Sequence, residues 1–329
     1  MEKKIDNNEE PIIVTVRCTA YNHEKYIRET LEGFIMQKTN FRFEAIVHDD
    51  ASTDNTADII REYAEKYPDI IKPIYETENQ YSKRDGSLLR IMNEVSRGKY
   101  FALCEGDDYW IDPYKLQKQV DFLEAHPDYS MCWTDGYEEY NGNKTPFCRY
   151  SESRETPVED IIEKGGDFIP TCSILVRKDV FSTTPKGFYC GDYPLQIWSA
   201  YKGKVHYLSD KTCVYRFMAP GSWTSKAARE NKQETLKHFE NEKYLLDSFD
   251  ALANNKYKIS FEKRKSEILY NLLLKAEAYD ALKPYLKLRL KYGKPVSKAI
   301  ICKVYKLNFI LVFLPMYKYI KQKLFWFKK

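Results

Sequence analysis

Four short polar runs concentrate the chemistry of this sequence. They are Thr19-Ala20-Tyr21-Asn22-His23, Asp49-Asp50-Ala51-Ser52-Thr53-Asp54, Glu105-Gly106-Asp107-Asp108-Tyr109-Trp110 and Gly191-Asp192-Tyr193-Pro194-Leu195. Carboxylates dominate two of them, and the last carries one, Asp192. Hard oxygen ligands of this kind suit Mg²⁺ or Mn²⁺. A single carboxylate can also take the proton from a hydroxyl as that hydroxyl attacks. Each run has a purely structural use as well. Asp, Ser and Thr satisfy free N–H groups in turns and helix caps, and Asp192 opens a segment with helical spacing.

Strands and helices alternate around the first three runs. The pattern predicts strands at 12–17, 43–48, 70–75, 100–104 and 129–134, and helices at 24–36, 56–66, 88–96 and 115–125, with Arg97-Gly98 ending the third helix. This alternation specifies an α/β fold, a mostly parallel sheet with helices on its faces. Ligands of such sheets bind beyond the carboxyl ends of the strands, which gathers the first three runs on one edge. Further on, 136–155 reads as a loop or irregular hairpin, 168–176 as a strand, 192–201 as a helix, and 205–208 and 213–217 as short strands. The chain thus divides into a catalytic or ligand-binding part (1–225), a helical region (226–298) and a basic amphipathic tail (299–329).

Composition removes several function classes. The 329 residues hold only 13 glycines, the first at Gly33, and neither G-x-G-x-x-G nor G-x-x-x-x-G-K-[ST] occurs. A Rossmann dinucleotide site and a P-loop are therefore not expected. The 8 cysteines form no C-x-x-C pair, which argues against structural zinc. The net charge of +4 is unevenly spread: residues 281–329 contain 13 Lys/Arg and no Asp/Glu, leaving 39 basic against 48 acidic residues elsewhere. An acidic body with a basic tail points away from nucleic acid and toward an anionic surface. Residues 1–10 are polar, with no secretion signal expected, and no apolar run reaches about 18 residues. The expected location is the cytoplasm, peripheral on the inner face of the membrane.

The four runs together resemble family 2 glycosyltransferases. Val14 to Ile27 looks like the family's opening strand and loop, and His48 to Thr56 like its second motif. Gly98 to Trp110 resembles its metal-binding segment, and Gly191-Asp192-Tyr193-Pro194-Leu195 its later base-bearing motif. The resemblance covers about residues 11–225. It implies a GT-A fold and inverting transfer from a nucleotide sugar, most often a UDP-sugar, to a hydroxyl of a glycan or lipid-linked acceptor. The setting would be bacterial surface-polysaccharide synthesis, such as capsule or lipopolysaccharide. Carried over residue by residue, it puts Thr19 and Tyr21 at the nucleoside and Asp50 at the pyrimidine ring. Asp107 falls near the ribose and the metal, Asp108 becomes the principal ligand of Mn²⁺ or Mg²⁺, and Asp192 the general base.

One segment departs from the family pattern. Where it has Tyr-Arg-x-His, this chain has Tyr215-Arg216-Phe217-Met218, and a thioether is a poor ligand for a hard cation. Arg216 is a candidate for the diphosphate or a structural ion pair. Trp223 either stacks on an acceptor sugar or packs in the core, and His206 reads as an ordinary strand histidine. A sugar nucleotidyltransferase would share the sheet, but it needs a Gly-rich, Arg-containing loop where this chain has Cys18-Thr-Ala-Tyr-Asn. A non-catalytic sugar-nucleotide-binding protein should lack a metal or base carboxylate, and both Asp108 and Asp192 are present.

The tail interleaves apolar residues with Lys303, Lys306, Lys318, Lys321, Lys323, Lys328 and Lys329. Each lysine near an anionic bilayer adds on the order of 1 kcal/mol, weakened by salt. Deleting residues 299–329 is expected to release the protein from anionic vesicles in a flotation assay. An intact protein that ignores such vesicles, with a truncated form that becomes insoluble, would make the tail part of the core instead.

Overall fold

The computed structural model describes residues 10–188 and 190–306. The part of the expected tail at 307–329 lies outside them. The described residues fall into two compact units, one running to Ile161 and resuming at Gly166–Ser225, the other comprising Ile162–Gly165 and the chain from Lys226 on.

The first unit opens with β1 (Ile12–Ala20), α1 (Ile27–Ile35), β2 (Arg42–Asp49), α2 (Thr56–Lys66) and β3 (Ile71–Tyr75). Next come α3 (Gln80–Lys83), α4 (Ser87–Val95), β4 (Tyr100–Leu103), β5 (Tyr109–Trp110), α5 (Lys115–Ala125) and β6 (Tyr129–Tyr140). Then follow β7 (Asn143–Pro146), β8 (Arg154–Glu155), α6 (Val158–Lys164), β9 (Leu175–Arg177), α7 (Lys178–Ser182), α8 (Asp192–Lys202) and β10 (Lys204–Arg216). The α9 helix (Trp223–Ala228) begins in this unit.

The strands form one sheet in the order β3-β2-β1-β4-β9-β6-β10-β5, with β7 added to β6 and β8 to β10. The run β3-β2-β1-β4 is parallel, and so is β6 with β10. The remaining pairs, including both ladders of β9, are antiparallel. The long ladders are thus parallel, and antiparallel pairing is confined to the short strands β5, β7, β8 and β9, so the α/β expectation holds. Central parallel strands are buried on both faces, so β1 reads as a continuous apolar run: Val14, Val16 and Cys18 are fully enclosed, and Thr15 is as well. Ile27, Leu31 and Phe34 lie on one stripe of α1 and are all buried.

Three expectations change, and the hairpin alternative for 136–155 is the one that forms. Phe168–Val176 is buried and apolar, but Pro170 turns it. Ser173 donates from both its N–H (2.9 Å) and its Oγ (2.6 Å) to the Pro170 carbonyl, closing a 3₁₀ turn at Thr171–Ser173; with another 3₁₀ turn at Gly166–Phe168, a strand is left only at β9. The polar stretch after Thr134 continues β6 and then turns at Asn141-Gly142, with φ 49° and 78°, into β7; Asn-Gly is a preferred hairpin turn. The strands at 205–208 and 213–217 are one strand, β10, with register shifts between Leu208 and Cys213. Gly98 does not end α4 by a left-handed turn. It is glycine because a Cβ there would stand 2.4 Å from the Thr15 backbone nitrogen.

The second unit is helical: α10 (Lys232–Leu252), α11 (Lys258–Lys275), α12 (Tyr279–Lys291) and α13 (Lys298–Tyr305). Asn231 and Glu234 form a reciprocal capping box at the start of α10. Leu245, Phe249, Phe261, Leu269, Leu282 and Leu286 are fully buried. Among the described residues no helix is long and apolar enough to cross a membrane.

His206 stacks on Phe122 with ring centroids 3.7 Å apart. Burial, then the neighbouring His126, holds its pKa down to about 4. The unfolded chain therefore binds the proton first, at about pH 6.5, and stability should fall as pH drops from there toward 4. His206→Phe keeps the stack and removes the titration. The drop in melting temperature between pH 7 and pH 4.5 should shrink in this variant, and an unchanged drop would clear His206 of that role.

Candidate active site

Strand register brings the acidic runs together. Ala20 pairs with Asp49, and Arg17 with Leu103, so the loops after β1, β2 and β4 leave the sheet side by side. Those after β1 and β2 are laced to each other. The Asn22 N–H donates to Ser52 Oγ (2.9 Å), and Asn22 Oδ1 accepts from the Thr53 N–H (2.8 Å). The His23 N–H donates to Thr56 Oγ1 (2.8 Å), and the Glu24 N–H to Asp54 Oδ2 (3.1 Å). Asn22 and Ala51 adopt φ of 57° and 62° to make these approaches. The β4 loop is tied in by the Gly106 N–H, which donates to the Thr19 carbonyl (2.8 Å). A Cβ at Gly106 would stand 2.8 Å from His23 Nδ1 and 2.9 Å from Ala20 Cβ, so glycine is required there by space.

From α1, Thr30 Oγ1 donates to the carbonyls of Gly106 (3.1 Å) and Asp108 (2.6 Å), which fixes the turn that presents Asp107 and Asp108. Asp108 is 1% exposed. Its Oδ1 accepts the Arg216 backbone N–H at 2.8 Å, while its buried Oδ2 has no protein partner. Burial, and then the Asp107 charge, push the Asp108 carboxyl well above the usual carboxylate range, against the opposing pull of the Arg216 amide. Glu105 occupies a cleft that water reaches but protein crowds. That partial loss of hydration, with Asp107 and Asp192 nearby, pushes it up to about 8.

Asp192 opens α8, half-buried, with Oδ1 accepting the Tyr193 N–H at 2.8 Å. Its charge acts on Glu105 and on Tyr81, so the start of α8 faces the β4 loop. Asp50 sits at the end of β2 with Oδ1 and Oδ2 accepting the N–H groups of Gln80 (2.6 Å) and Tyr81 (3.0 Å). It thereby holds α3 and leaves the Tyr81 ring exposed toward Glu105, Arg84 and Asp192. Thr19 lies beside these groups at the end of β1, followed by the half-exposed Tyr21.

The structure thus gathers Thr19, Tyr21, Asp50, Asp107, Asp108 and Asp192 on one edge. Arg216 is a correction. Its guanidinium donates to the Asp107 carbonyl (2.6 Å), pairs with Glu29 and with Glu139 (3.5 Å), and packs over the rings of Tyr26 and Tyr109. These contacts occupy it as a structural ion pair rather than as a free diphosphate ligand. Met218 turns at φ 60° and donates its N–H to Thr224 Oγ1 (3.2 Å). Thr224 also bonds the Tyr215 phenol, which lies near Asp108. Trp223, 45% exposed, therefore stands at the rim rather than in the core.

Glu105, Tyr81 and Tyr215 were not predicted as site residues. Glu105 stands first in the acidic run after β4, which was a usable signal; Tyr81 had none, since α3 is too short to leave a periodic pattern. Among the described residues, no three His, Cys, Asp or Glu side chains converge as a ready metal cage. Crowded carboxylates and the unpartnered Asp108 Oδ2 nevertheless fit a divalent cation held by one or two protein oxygens, Asp108 and Asp107, with the rest from ligand and water.

Residues 15–184 match Glycosyl transferase family 2. A Mycobacterium tuberculosis protein of uncharacterised function is 38% identical over 216 residues, 64% of this chain and 61% of its own length. The Escherichia coli UDP-Glc:alpha-D-GlcNAc-diphosphoundecaprenol beta-1,3-glucosyltransferase WfaP is 32% identical over 113 residues, 34% of this chain and 42% of its own. The chain thus matches less than two thirds of the length of either relative. Among solved structures, S. aureus TarS 1-349 in complex with UDP-GlcNAc superposes with a TM-score of 0.55 at 16% identity, covering 87% of this chain and 93% of that one. At that identity the likeness is one of fold.

Removing one of the crowded charges should relieve the ligand-free protein. Asp108→Asn keeps an oxygen for the Arg216 amide and ends the repulsion with Asp107. Its melting temperature without nucleotide or divalent ion is expected to equal or exceed the parent's by about 2–4 °C at pH 8, as roughly 1 kcal/mol would give. A lower value would mean that the carboxylate stabilises the fold.

Proposed function

Because the chain belongs to glycosyl transferase family 2, we propose that it is a glycosyltransferase that moves a sugar from a nucleotide sugar to an acceptor hydroxyl. The observation that carries this reading is the set of carboxylates on the carboxyl edge of β1, β2 and β4, faced by Asp192 at the start of α8. The finer reading is inverting, metal-dependent transfer from a UDP-sugar to a glycan or lipid-linked glycan in surface-polysaccharide synthesis. It is supported by the donor and acceptor in WfaP's name and by the UDP-GlcNAc bound to TarS.

In this reading Thr19, Tyr21 and the loop held by Asp50 receive the nucleoside, and Tyr81 and Arg84 flank it. A divalent ion on Asp108 and Asp107 would neutralise the charge that develops on the departing diphosphate. Asp192 removes the acceptor hydroxyl's proton as the oxygen attacks the anomeric carbon from the face opposite the leaving group, which inverts the configuration. Glu105 stands beside Asp107 and Asp192 in the same cleft. Lipid-linked acceptors lie at the inner membrane surface, and the basic tail suits a peripheral location there.

Purified protein incubated with a panel of nucleotide sugars and Mn²⁺ should hydrolyse one of them slowly and transfer its sugar once an acceptor is supplied. Asp192→Asn should still bind UDP but lose transfer by on the order of 10²-fold, about 2.7 kcal/mol in the barrier. Near-normal transfer by that variant would remove Asp192 as the base, and inertness toward every nucleotide sugar would overturn the assignment.

A further inference from the structure

Two aromatic side chains stand half exposed beside the carboxylates. Tyr140 ends β6 and Phe217 follows β10, 49% and 37% exposed. The Phe217 N–H donates to the Glu139 carbonyl at 3.0 Å, so the parallel ladder runs one residue past β10. The two rings meet edge to face with centroids 5.9 Å apart at 61°. Their backbones are pinned, Tyr140 by its pairing with Asn143 and Phe217 by the ladder bond, so they form a preset surface rather than a loose pair.

Phe217 follows directly on Arg216, whose amide holds Asp108. Phe217 also shares its face of the strand with Tyr215, two residues back, whose phenol lies near Asp108 and Glu105, so the aromatic pair borders the carboxylate cluster. Its place across the sheet also has a direction. From β2, which carries Asp50, the order runs through β1, β4 and β9 to β6, four strand spacings or roughly 19 Å. Asp107 and Asp108 join β4 to β5, which pairs with β10 at the far edge, so Asp108 meets the Arg216 amide on that side of the sheet. With the nucleoside at β1 and β2 and the reacting bond at the carboxylates, Tyr140 and Phe217 fall on the acceptor side.

We propose that Tyr140 and Phe217 form a saccharide-stacking subsite that receives a sugar ring of the acceptor glycan. A pyranose offers a face of C–H groups that packs on an aromatic ring, and its equatorial hydroxyls need polar partners around that ring. Glu138, Asn143 and Thr145 supply them from the same face of the hairpin, where Tyr140 pairs with Asn143 and Glu138 with Thr145. A lipid chain would be poorly served by so polar a rim. This inference rests on the glycosyltransferase reading and adds that the acceptor is recognised through a sugar ring.

Saturation-transfer NMR on the full chain with UDP and Mn²⁺ tests it. The probes are the methyl glycosides of glucose, galactose, N-acetylglucosamine, mannose and rhamnose, with cellobiose and chitobiose. At least one should receive saturation on its ring protons. Phe217→Ser and Tyr140→Ser should weaken that binding about tenfold, while Phe217→Tyr should retain it. Thermal melts check that these surface variants fold. The absence of saturation for every probe overturns the proposal, as does saturation indifferent to both serine variants. So do serine variants that instead lose vesicle binding or change from dimer to monomer by light scattering, which would make the rings a membrane or protein contact. Calorimetric titration of the unmodified protein with UDP and Mn²⁺ tests the underlying reading separately: no UDP binding sinks that reading, whereas UDP binding without any saccharide signal sinks the stacking subsite alone.

Discussion

A carboxylate steadied by a backbone amide organises this site. The Arg216 N–H holds one oxygen of Asp108, and the other oxygen is buried without a protein partner. An amide dipole orients a carboxylate without cancelling its charge, as an ammonium or guanidinium would. Asp108 therefore keeps an unmet demand for positive charge, made sharper by Asp107 next to it. Every element that sets this bond must be in register: β10, which brings the amide; the turn after β4, which brings the acid; and α1, whose Thr30 grips the carbonyls of that turn.

Arg216 explains how a cation can be so close and still leave Asp108 uncompensated. Its amide faces Asp108 while its guanidinium lies between Tyr26 and Tyr109 and pairs with Glu29 and Glu139. A buried arginine without such partners would cost several kcal/mol, so these acids hold it in place as much as it holds them. The residue joins α1, β6 and β10 around the carboxylate turn, and its charge is used to build the cleft.

The neighbouring loops carry strain for the same end. Asn22 and Ala51 take positive φ so that the loops after β1 and β2 can exchange backbone-to-side-chain bonds. Asp50 spends both oxygens on the amides of α3, which turns Tyr81 toward Glu105 and Asp192. Much of the polar chemistry read as ligand-directed thus has a structural share, and the two uses coincide: loops that cross-link one another present their remaining groups in fixed directions.

The sequence by itself determined the α/β class, the helices α2 and α5 to the residue, and the polar runs after β1, β2 and β4, because periodicity and turn chemistry are local and strand order places those runs on one edge. It also carried the family's motifs, and with them Asp107, Asp108 and Asp192. It missed the strand-to-turn change at Pro170, and it split β10 because bulges break the alternation that marks a strand. Tertiary structure alone decided which direction the Arg216 guanidinium takes, since Glu29 and Glu139 lie 187 and 77 positions away in the chain. It alone brought Glu105 against Asp192 and Tyr140 against Phe217. Those relations depend on burial and on pairings between distant segments, which no local pattern encodes: a charge, a ring or a carboxyl acquires its role from what the fold sets opposite it.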